Sequence, residues 1–330
     1  MKTFNVALVG CGTISYNHLT ALANLENVNV VALCDINIEK AKARCEQFKL
    51  NAKLYEDYYE MLESEKLDAV HVATPHYLHA PMAIAALEKD IFVFLEKPMC
   101  INRDEIKALM DAEKKSKASV TVSFQTRYNK ANVIAKKIAD EDGIISAYCS
   151  NFWQRTNEYY TESGWRGAYA TEGGGVMINQ AIHNIDHLIG LLGTPVALYA
   201  TKSNHKHKGI IEVEDTCEGM VEFENGLIGN FYATNAFTGA SRTSIFVKTQ
   251  NHMLEIRNAK LFIDDKLVED TDTTAFLGKE VYGDGHLILI KKFYEAIENG
   301  DEMPITLESA QWALRLLLAA YESNDERTLI

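Results

Sequence analysis

The feature that most constrains the fold is a regular alternation of short apolar runs with helical segments in the first third of the chain. The run NVALVG (5–10) has strand character, an amphipathic segment follows it, and a second apolar run, NVVALCD, covers residues 29–35. Further runs of this kind lie at 68–74, 91–96 and 118–124. Strands this uniformly apolar are buried on both faces, as in a parallel sheet between helices. The pattern predicts an α/β domain with a doubly wound parallel sheet.

The pattern changes after about residue 124. Segments of alternating character, joined by short turns such as Asn225-Gly226, predict strands at 145–154, 197–203, 217–223, 227–237, 244–250 and 260–264. Helices are expected at about 179–192, 286–298 and 307–323. We predict a dinucleotide-binding domain over 1–123 and a second domain over 124–330, built on an antiparallel meander. The final helix is available to pack back onto the first domain.

Composition and charge exclude several classes of function. The chain has 33 basic and 46 acidic residues, a formal charge of −13, which disfavours binding to nucleic acid or to anionic membranes. The stretch MKTFNVALVG lacks the long apolar segment of a signal peptide or membrane anchor, so we expect a cytoplasmic protein. The six cysteines show no CxxC spacing, and His205 and His207 lie in a basic loop where we expect them to be solvated. No metal site is predicted.

The segment GCGTIS, at the end of the first strand, predicts a dinucleotide site. Gly10 permits a tight turn, Gly12 permits close approach of a pyrophosphate, and Ser15 is small enough to keep helix and strand close. We expect Thr13 and Ile14 to contribute to the same turn. Asp35 ends the second strand, where a carboxylate accepts hydrogen bonds from a ribose and repels a 2′-phosphate. The predicted cofactor is NAD, with NADP disfavoured; the alternative is a βαβ protein that binds no dinucleotide.

The tripeptide Glu96-Lys97-Pro98 ends another strand, at the edge of the sheet where ligands bind in open α/β folds. Proline terminates the strand and restricts the backbone, which directs Lys97 into the cleft. An ammonium group there can hydrogen-bond a substrate hydroxyl and stabilise negative charge on its oxygen. The alternative is an ordinary surface lysine.

A second polar constellation follows the glycines 173–175. In a helix over 179–192, Asn179, His183 and Asp186 fall at i, i+4 and i+7 and share one face. His183 is the candidate general base, because imidazole titrates near neutrality. Asn179 can orient the histidine or the substrate, and Asp186 can hold the imidazole tautomer. The alternative is a structural histidine.

Aromatic and basic residues alternate before this helix. Flat apolar rings and guanidinium forks suit a polyhydroxylated ligand, and the arginines suit a phosphate or carboxylate on it. Core packing and solvated surface positions are the alternatives for the aromatic and basic members respectively. The candidates for substrate binding are Arg127, Trp153, Arg155, Tyr160, Trp165 and Arg166, together with Asn179 and His183.

The ordered set of motifs resembles the Gfo/Idh/MocA oxidoreductases over nearly the whole chain. The resemblance rests on the glycine turn, ATPHYLHA (73–80), Glu96-Lys97-Pro98, SGWRGAY (163–169), NQAIHNID (179–186) and YGDGH (282–286). It implies an N-terminal Rossmann domain and a C-terminal α+β domain on a large, open, mostly antiparallel sheet. It also implies hydride transfer between a nicotinamide and a carbon of a sugar or polyol, and a homodimer or homotetramer formed through the sheet.

The resemblance assigns residues as well. It places Lys97 in catalysis, and the Asp and His that the family carries four residues apart correspond here to Asn179 and His183. The asparagine is a departure, shared with a subgroup that acts on sugars and nucleotide sugars, and it leaves His183 to take the proton alone. The cofactor contacts implied around the nicotinamide ribose are Ala73, Thr74, His76 and His79, with Glu96 and Lys97; His76 and His79 could equally be surface residues at a helix start.

Three classes of function follow from the sequence. The first is an NAD-dependent dehydrogenase acting on a secondary alcohol of a sugar, inositol or other polyol, or nucleotide sugar. The second is a non-catalytic regulatory protein that binds the dinucleotide as a sensed ligand. The third is an NAD-dependent glycoside hydrolase, as in one branch of the family.

Overall fold

The computed structural model describes residues 2–270 and 284–330. Two compact units divide them: the first holds the residues up to Gln125 and those from Gly285 to Ala310, and the second holds those from Thr126 to Asp284 and from Gln311 to Ile330. The boundary between Ala310 and Gln311 lies within the last helix of the chain, Leu307–Ser323. The division into a dinucleotide-binding domain over 1–123 and a second domain over 124–330 remains a prediction. Two members of the YGDGH motif, Tyr282 and Gly283, lie outside the described residues.

The first unit is built on a six-stranded parallel sheet, which confirms the predicted fold class. The strand order is β3-β2-β1-β4-β5-β6, so the direction of winding reverses between β1 and β4. Five of the strands lie where the apolar runs predict them, and β4 is buried along its whole length. The strands are β1 (Phe4–Val9), β2 (Val28–Cys34), β3 (Lys53–Tyr55), β4 (Ala69–Val72), β5 (Phe92–Leu95) and β6 (Val120–Val122).

The sequence did not predict β3. Three residues are too few to establish a periodicity of two, and this strand lies at the edge of the sheet, where half-exposed residues replace the apolar run. The helices between the strands are α1 (Ser15–Leu22), α2 (Ile38–Phe48), α3 (Tyr58–Ser64), α4 (His79–Leu87) and α5 (Arg103–Glu113). Side-chain caps begin α2, α3 and α5; at α5, Asn102 accepts a hydrogen bond from the backbone of Glu105.

The second unit carries a nine-stranded sheet of order β14-β13-β12-β11-β7-β10-β9-β8-β15. Its strands are β7 (Ile144–Phe152), β8 (Pro195–Ser203), β9 (Thr216–Phe223), β10 (Ile228–Thr234), β11 (Arg242–Thr249), β12 (Met253–Arg257), β13 (Lys260–Ile263), β14 (Lys266–Asp270) and β15 (Thr328–Leu329). The prediction of a single antiparallel meander is wrong in one respect: β7 lies between β10 and β11 and pairs with β10 in parallel. The first strand of the unit thus joins two meanders that come later in the chain.

The remaining helices are α6 (Lys130–Asp142), α7 (Asn157–Thr161), α8 (Ile182–Leu192), α9 (Gly285–Asn299) and α10 (Leu307–Ser323). In the second unit, α6 and α8 pack on one face of the large sheet. The other face leaves large apolar side chains exposed, among them Tyr148, Tyr199, Ile228 and Met253. In the part of the chain that the structure describes, none of the helices has both the length and the hydropathy that a membrane span requires.

Candidate active site

The predicted cofactor residues of the first unit all follow strands of the parallel sheet. Gly10 follows β1, Asp35 follows β2, Ala73 follows β4 and Glu96 follows β5. Because these four strands are consecutive neighbours in the order β2-β1-β4-β5, the residues line one edge of the sheet around the switch point between β1 and β4. Open α/β sheets bind their ligands in this place.

The glycine turn has the steric properties that a dinucleotide requires. Gly10 has φ +90°, and a Cβ there would lie 2.4 Å from the carbonyl oxygen of Ala73. A Cβ on Gly12 would have no atom within 4 Å, so the backbone faces open space where a pyrophosphate would approach. The first helix begins at Ser15 without a side-chain cap from Ile14, and Thr13 is exposed. These residues fit the phosphates of a dinucleotide.

The carboxylate of Asp35 is held in place by the turn and the loop that flank it. Its Oδ2 accepts from the backbone N–H of Cys11 at 2.8 Å, and its Oδ1 accepts from that of Asn37 at 2.9 Å. A carboxylate has about four lone-pair positions, so two remain for ribose hydroxyls. The residues present therefore fit an adenosine ribose without a 2′-phosphate.

Arg44, in α2, contacts the glycine turn, and the sequence analysis did not identify it. Its Nη2 donates to the carbonyl oxygen of Gly12 at 3.0 Å, and its Nε donates to Oγ of Ser15 at 2.9 Å. The guanidinium thus holds the turn from α2, about thirty residues along the chain. Local sequence carries no signal for a contact at this separation.

His79 ties the loop after β4 to the Glu96-Lys97-Pro98 segment. Its Nδ1 lies 2.6 Å from the carbonyl oxygen of Pro98, and its Nε2 lies 2.9 Å from that of Thr74. Burial lowers the pKa of His79 despite these two carbonyl contacts. His76 and His79 are both buried, so the alternative that placed them on the surface is wrong. Their predicted contact with a nicotinamide ribose stays a prediction.

Glu96 anchors the strand end that carries Lys97, through a buried network that the sequence did not reveal. Its Oε1 lies 2.9 Å from Nε2 of His18 and 3.6 Å from Nε2 of His286. His18 contacts His71 through their Nδ1 atoms at 2.9 Å. The Nε2 of His71 lies 2.9 Å from the hydroxyl of Tyr294. Lys97 itself is half-buried and follows directly on this network.

The network has consequences for charge. Burial alone would raise the pKa of Glu96, but the hydrogen bond from His18 and the nearby imidazole of His286 hold it well below its usual value. Burial lowers the pKa of His71 and of His286. The carboxylate of Glu96 is therefore the ionised member of the network, with the imidazole of His18 as its hydrogen-bond donor.

His18, Glu96 and His286 also place three potential metal-ligand atoms within 4.8 Å of one another. The 2.9 Å contact between His18 and Glu96 has the length of a hydrogen bond. We interpret the cluster as a hydrogen-bonded anchor, and the absence of a catalytic metal remains a prediction.

In the second unit, the triple glycine allows the backbone to pass a buried carboxylate. A Cβ on Gly175 would lie 1.8 Å from the carbonyl oxygen of Glu214. The side chain of Glu214 accepts from the backbone N–H groups of Gly175 at 2.8 Å and Met177 at 3.0 Å. A π-helical turn, Met177–Ala181, follows, and α8 begins only at Ile182. The helix predicted from about Asn179 to Leu192 is present, but its first turn, which holds Asn179, is π-helical.

Asn179 and His183 are both buried or half-buried in this unit. The Nδ2 of Asn179 donates to Oε1 of Glu172, and it lies 3.4 Å from the hydroxyl of Tyr159. The Nδ1 of His183 lies 3.4 Å from Oγ1 of Thr126.

Glu172 is a further residue that sequence reasoning missed. Its Oε2 accepts from the backbone N–H of Gly167 at 2.6 Å, and its side chain is buried. Burial raises its pKa to about 7. The carboxyl group that position 179 lacks is thus supplied beside it, seven residues earlier in the chain. Its place directly before the glycines is the only sequence signal for it.

Arg127 forms an ion pair with Asp186 that the sequence analysis did not predict. Its Nε donates to Oδ2 of Asp186 at 2.7 Å, and its Nη2 donates to Oδ1 at 2.5 Å. This fork geometry is the strong form of an ion pair. It engages both oxygens of Asp186, so the predicted roles of Arg127 toward a substrate anion and of Asp186 toward His183 stay predictions.

Two other predicted residues pack in a small apolar cluster near α7. Tyr160 is buried with Ile211 and Val213, and its hydroxyl accepts from Asn235 at 2.9 Å. The ring of His207 lies 5.0 Å from that of Tyr160, and its Nδ1 is 2.8 Å from Oδ1 of Asn157. The prediction that His207 is solvated is wrong, because the carboxylate of Asp215 gathers the backbone N–H groups of 205–207 and turns the loop inward. His205 is exposed, as predicted.

Comparison with known families agrees with these features. Residues 4–124 match the GFO_IDH_MocA model, described as an oxidoreductase family with an NAD-binding Rossmann fold. Residues 135–255 match the GFO/IDH/MocA C-terminal domain. The chain belongs to the Gfo/Idh/MocA family of oxidoreductases, which confirms the resemblance seen in its motifs.

Individual relatives cover different shares of the chain. Inositol 2-dehydrogenase of Salmonella typhimurium is 35% identical over 144 residues, which is 43% of this chain and 43% of the relative. The chain therefore aligns with less than half of the length of that relative. Levoglucosan dehydrogenase of Pseudarthrobacter phenanthrenivorans is 27% identical over 278 residues, 74% of this chain and 71% of the relative.

Among solved structures, the WlbA dehydrogenase of Bordetella pertussis, in complex with NADH and UDP-GlcNAcA, superposes with a TM-score of 0.87 at 27% identity. That match covers 100% of this chain and 99% of the other. Levoglucosan dehydrogenase with NADH and L-sorbose shares the fold, with a TM-score of 0.89 at 22% identity, covering 100% and 99%.

Proposed function

We propose that the protein is an NAD-dependent dehydrogenase that moves a hydride between the nicotinamide and a secondary alcohol of a sugar, of inositol or another polyol, or of a nucleotide sugar. The observation that carries the proposal is the edge of the parallel sheet. There the open backbone at Gly12, the carboxylate of Asp35 and the strand end bearing Lys97 line one switch point. The cofactor supplies a two-electron acceptor; the chain supplies binding, orientation and acid–base groups.

Each proposed catalytic residue has one role. In the oxidative direction, His183 accepts the hydroxyl proton, which contributes about 10²–10⁴ in rate for a positioned base. Lys97 donates a hydrogen bond to the same substrate oxygen and stabilises its developing negative charge. Asn179, held by Glu172, orients the substrate or the imidazole.

The choice of NAD over NADP follows from Asp35. Its carboxylate would face the ribose hydroxyls and would repel a phosphate at the 2′ position. The cation of Arg44 does not offset this effect, because it donates to Gly12 and Ser15 of the turn. The NADH found with WlbA supports the same choice.

The relatives support a dehydrogenase over the two other classes. All three are named dehydrogenases: one of inositol, one of levoglucosan, and WlbA, which was solved with NADH and UDP-GlcNAcA. None of the relatives cited is described as a regulatory binder or a glycosidase.

We further propose a homodimer or homotetramer formed through the large sheet. The sheet face opposite α6 and α8 exposes Tyr148, Ile228 and Met253, each by more than 40%. Large apolar side chains exposed on one face of a sheet favour an interface between subunits. A cytoplasmic location is proposed as well, supported by six cysteines that are all free thiols.

Substitution of the two ionisable groups tests the proposed chemistry. We expect His183→Ala to lower kcat about 10²–10⁴-fold and Lys97→Ala to lower it about 10²–10³-fold, measured as NADH formation. NAD affinity should change far less than kcat. The exposed residues Lys66 and His205 provide matched controls as alanine variants. Near-normal turnover by either active-site variant would refute its assigned role, and faster reduction of NADP than of NAD would refute the role of Asp35.

A further inference from the structure

The segment before the triple glycine builds an alternating stack of rings and cations. The guanidinium carbons of Arg155 and Arg166 each lie 4.3 Å from the ring centre of Tyr159. Arg155 also lies 5.3 Å from the ring of Trp153, and Arg166 lies 4.6 Å from that of Trp165. Each guanidinium therefore contacts two aromatic rings, which hold it in place by cation–π contacts and packing.

Some arginines of the chain pair with a carboxylate, but within the described residues the two arginines of this stack do not. Arg127, Arg257 and Arg327 each pair with a carboxylate within 2.7 Å. Over residues 2–270 and 284–330, neither Arg155 nor Arg166 forms an ion pair with a carboxylate. Their Nε atoms are buried and have no hydrogen-bond acceptor in the same part of the chain. Buried charged donors without an acceptor are costly, and native structures normally provide one.

The nearest acid does not fill this need. Glu172 lies close enough for the charge of Arg166 to affect it, but its two oxygens already accept from Gly167 and Asn179. Burial also raises its pKa to about 7, so it is largely uncharged below that pH. Among the described residues, the two cations on the ring of Tyr159 thus have no carboxylate partner, although the acids of the full sequence outnumber its bases by 46 to 33.

Tyr159 links this stack to the candidate acid–base residues of the unit, because its ring contacts the two arginines and its hydroxyl lies near Asn179. The hydroxyl of Tyr159 is 3.4 Å from Nδ2 of Asn179 and 3.5 Å from Nε2 of Gln180, both in the π-helical turn before His183. An anion held by the arginines and a hydroxyl held near Asn179 would therefore both lie beside Tyr159.

We propose that Arg155 and Arg166 form an oxyanion subsite, so that the substrate is an acidic carbohydrate bearing a carboxylate or a phosphate. This inference rests on the proposed dehydrogenase function and narrows its substrate class. A carboxylate and a phosphate both present paired oxygens to a guanidinium fork. The aromatic rings keep the two forks in position, which reduces the entropy lost when the anion binds.

Matched ligand pairs test the proposal on the full-length protein. Binding to the NADH complex is measured by calorimetry for D-glucuronate and D-galacturonate as carboxylates, and for D-glucose 6-phosphate and UDP-glucose as phosphates. D-Glucose and D-galactose are the neutral parents. We expect at least one oxyanion to bind about 10–100-fold more tightly than its neutral parent. Tighter binding of the carboxylate ligands would identify a carboxylate as the anion, and tighter binding of the phosphate ligands would identify a phosphate.

Arginine variants test whether the two arginines of the stack cause the tighter binding of acidic ligands. Arg155→Gln and Arg166→Gln should each remove most of it while leaving affinity for neutral sugars within about twofold. Arg155→Lys and Arg166→Lys keep the positive charge but lose the paired N–H groups of the guanidinium. These variants should retain part of the preference for acidic ligands. Arg327→Gln removes the same charge from an arginine that already has a carboxylate partner, and should change nothing.

The inference is overturned if wild type binds the neutral parents as tightly as every acidic ligand. It is overturned as well if the glutamine variants weaken acidic and neutral ligands equally. Failure of the dehydrogenase proposal looks different: acidic ligands then bind in an arginine-dependent manner, but no member of the panel reduces NAD.

Discussion

The buried carboxyl group of Glu172 leads to a prediction about stability and pH. Glu172→Gln replaces an ionisable group with a neutral one of the same shape. In the wild type, burial raises the pKa of Glu172 from 4.5 to about 7. Between these values the folded protein retains a proton that the unfolded chain has released, so the stability of the wild type falls as pH rises through this window. The variant has no such loss.

The magnitude follows from linkage. A shift from 4.5 to about 7 is fully expressed above pH 7. Between pH 5 and pH 8 it lowers wild-type stability relative to the variant by about 2.5 kcal/mol, at 1.36 kcal/mol per unit. For a unit of this size, that difference corresponds to about 5–10 °C in Tm. The Tm of the variant minus that of the wild type should increase by this amount from pH 5 to pH 8.

A lost hydrogen bond shifts the Tm difference between variant and wild type by the same amount at every pH. It does not change how that difference varies with pH. Glutamine has one acceptor oxygen where glutamate has two, so either Gly167 or Asn179 loses an acceptor unless the Asn179 amide rotates. That cost is the same at every pH. Calorimetric Tm values at pH 5, 6, 7 and 8 separate the two contributions, with the exposed Glu162→Gln as control. A constant Tm difference across this range would refute the assignment of a raised pKa.

Three further predictions follow from packing, ion pairing and cofactor chemistry. Gly175→Ala places a Cβ 1.8 Å from the backbone oxygen of Glu214 and should abolish soluble, folded protein, whereas Gly164→Ala, with φ +71° and open space, should cost only about 1–2 kcal/mol in a denaturation experiment. Asp186→Asn leaves Arg127 without its carboxylate and should lower stability by about 3 kcal/mol, measured by the same method. Treatment with EDTA should leave turnover unchanged, because the proposed steps use only side chains and the nicotinamide; a loss that zinc reverses would contradict this.

Features set by neighbouring residues were predictable from the sequence. The turn between β1 and α1, with Gly10 and Gly12, lies within a few positions of an apolar strand, and its conformation depends on those positions. Asp35 and Lys97 each follow a recognisable strand, and parallel strands bring their carboxyl ends to one edge. Local periodicity was therefore enough to assemble the candidate cofactor residues.

Contacts between distant segments could not be predicted in this way. His18 meets His71 across 53 residues and Glu96 across 78, while His71 meets Tyr294 across 223. His18, His71 and Tyr294 each lie within an apolar helix or strand pattern, so their sequence context does not distinguish them from ordinary core residues. The tertiary fold alone decides that they form one hydrogen-bonded anchor beneath Lys97.

In the second unit, too, some features follow from the local sequence and others depend on tertiary contacts. Its sequence determined that strands with one covered face would follow residue 124, because alternation of side chains is a local property of a strand. Only the tertiary structure decided that β7 lies between β10 and β11, that Glu172 lies beside Asn179, and that two guanidinium groups contact the ring of Tyr159. The physical reason is that pairing, burial and charge compensation depend on which segments pack together, and a pattern confined to one segment does not contain that information.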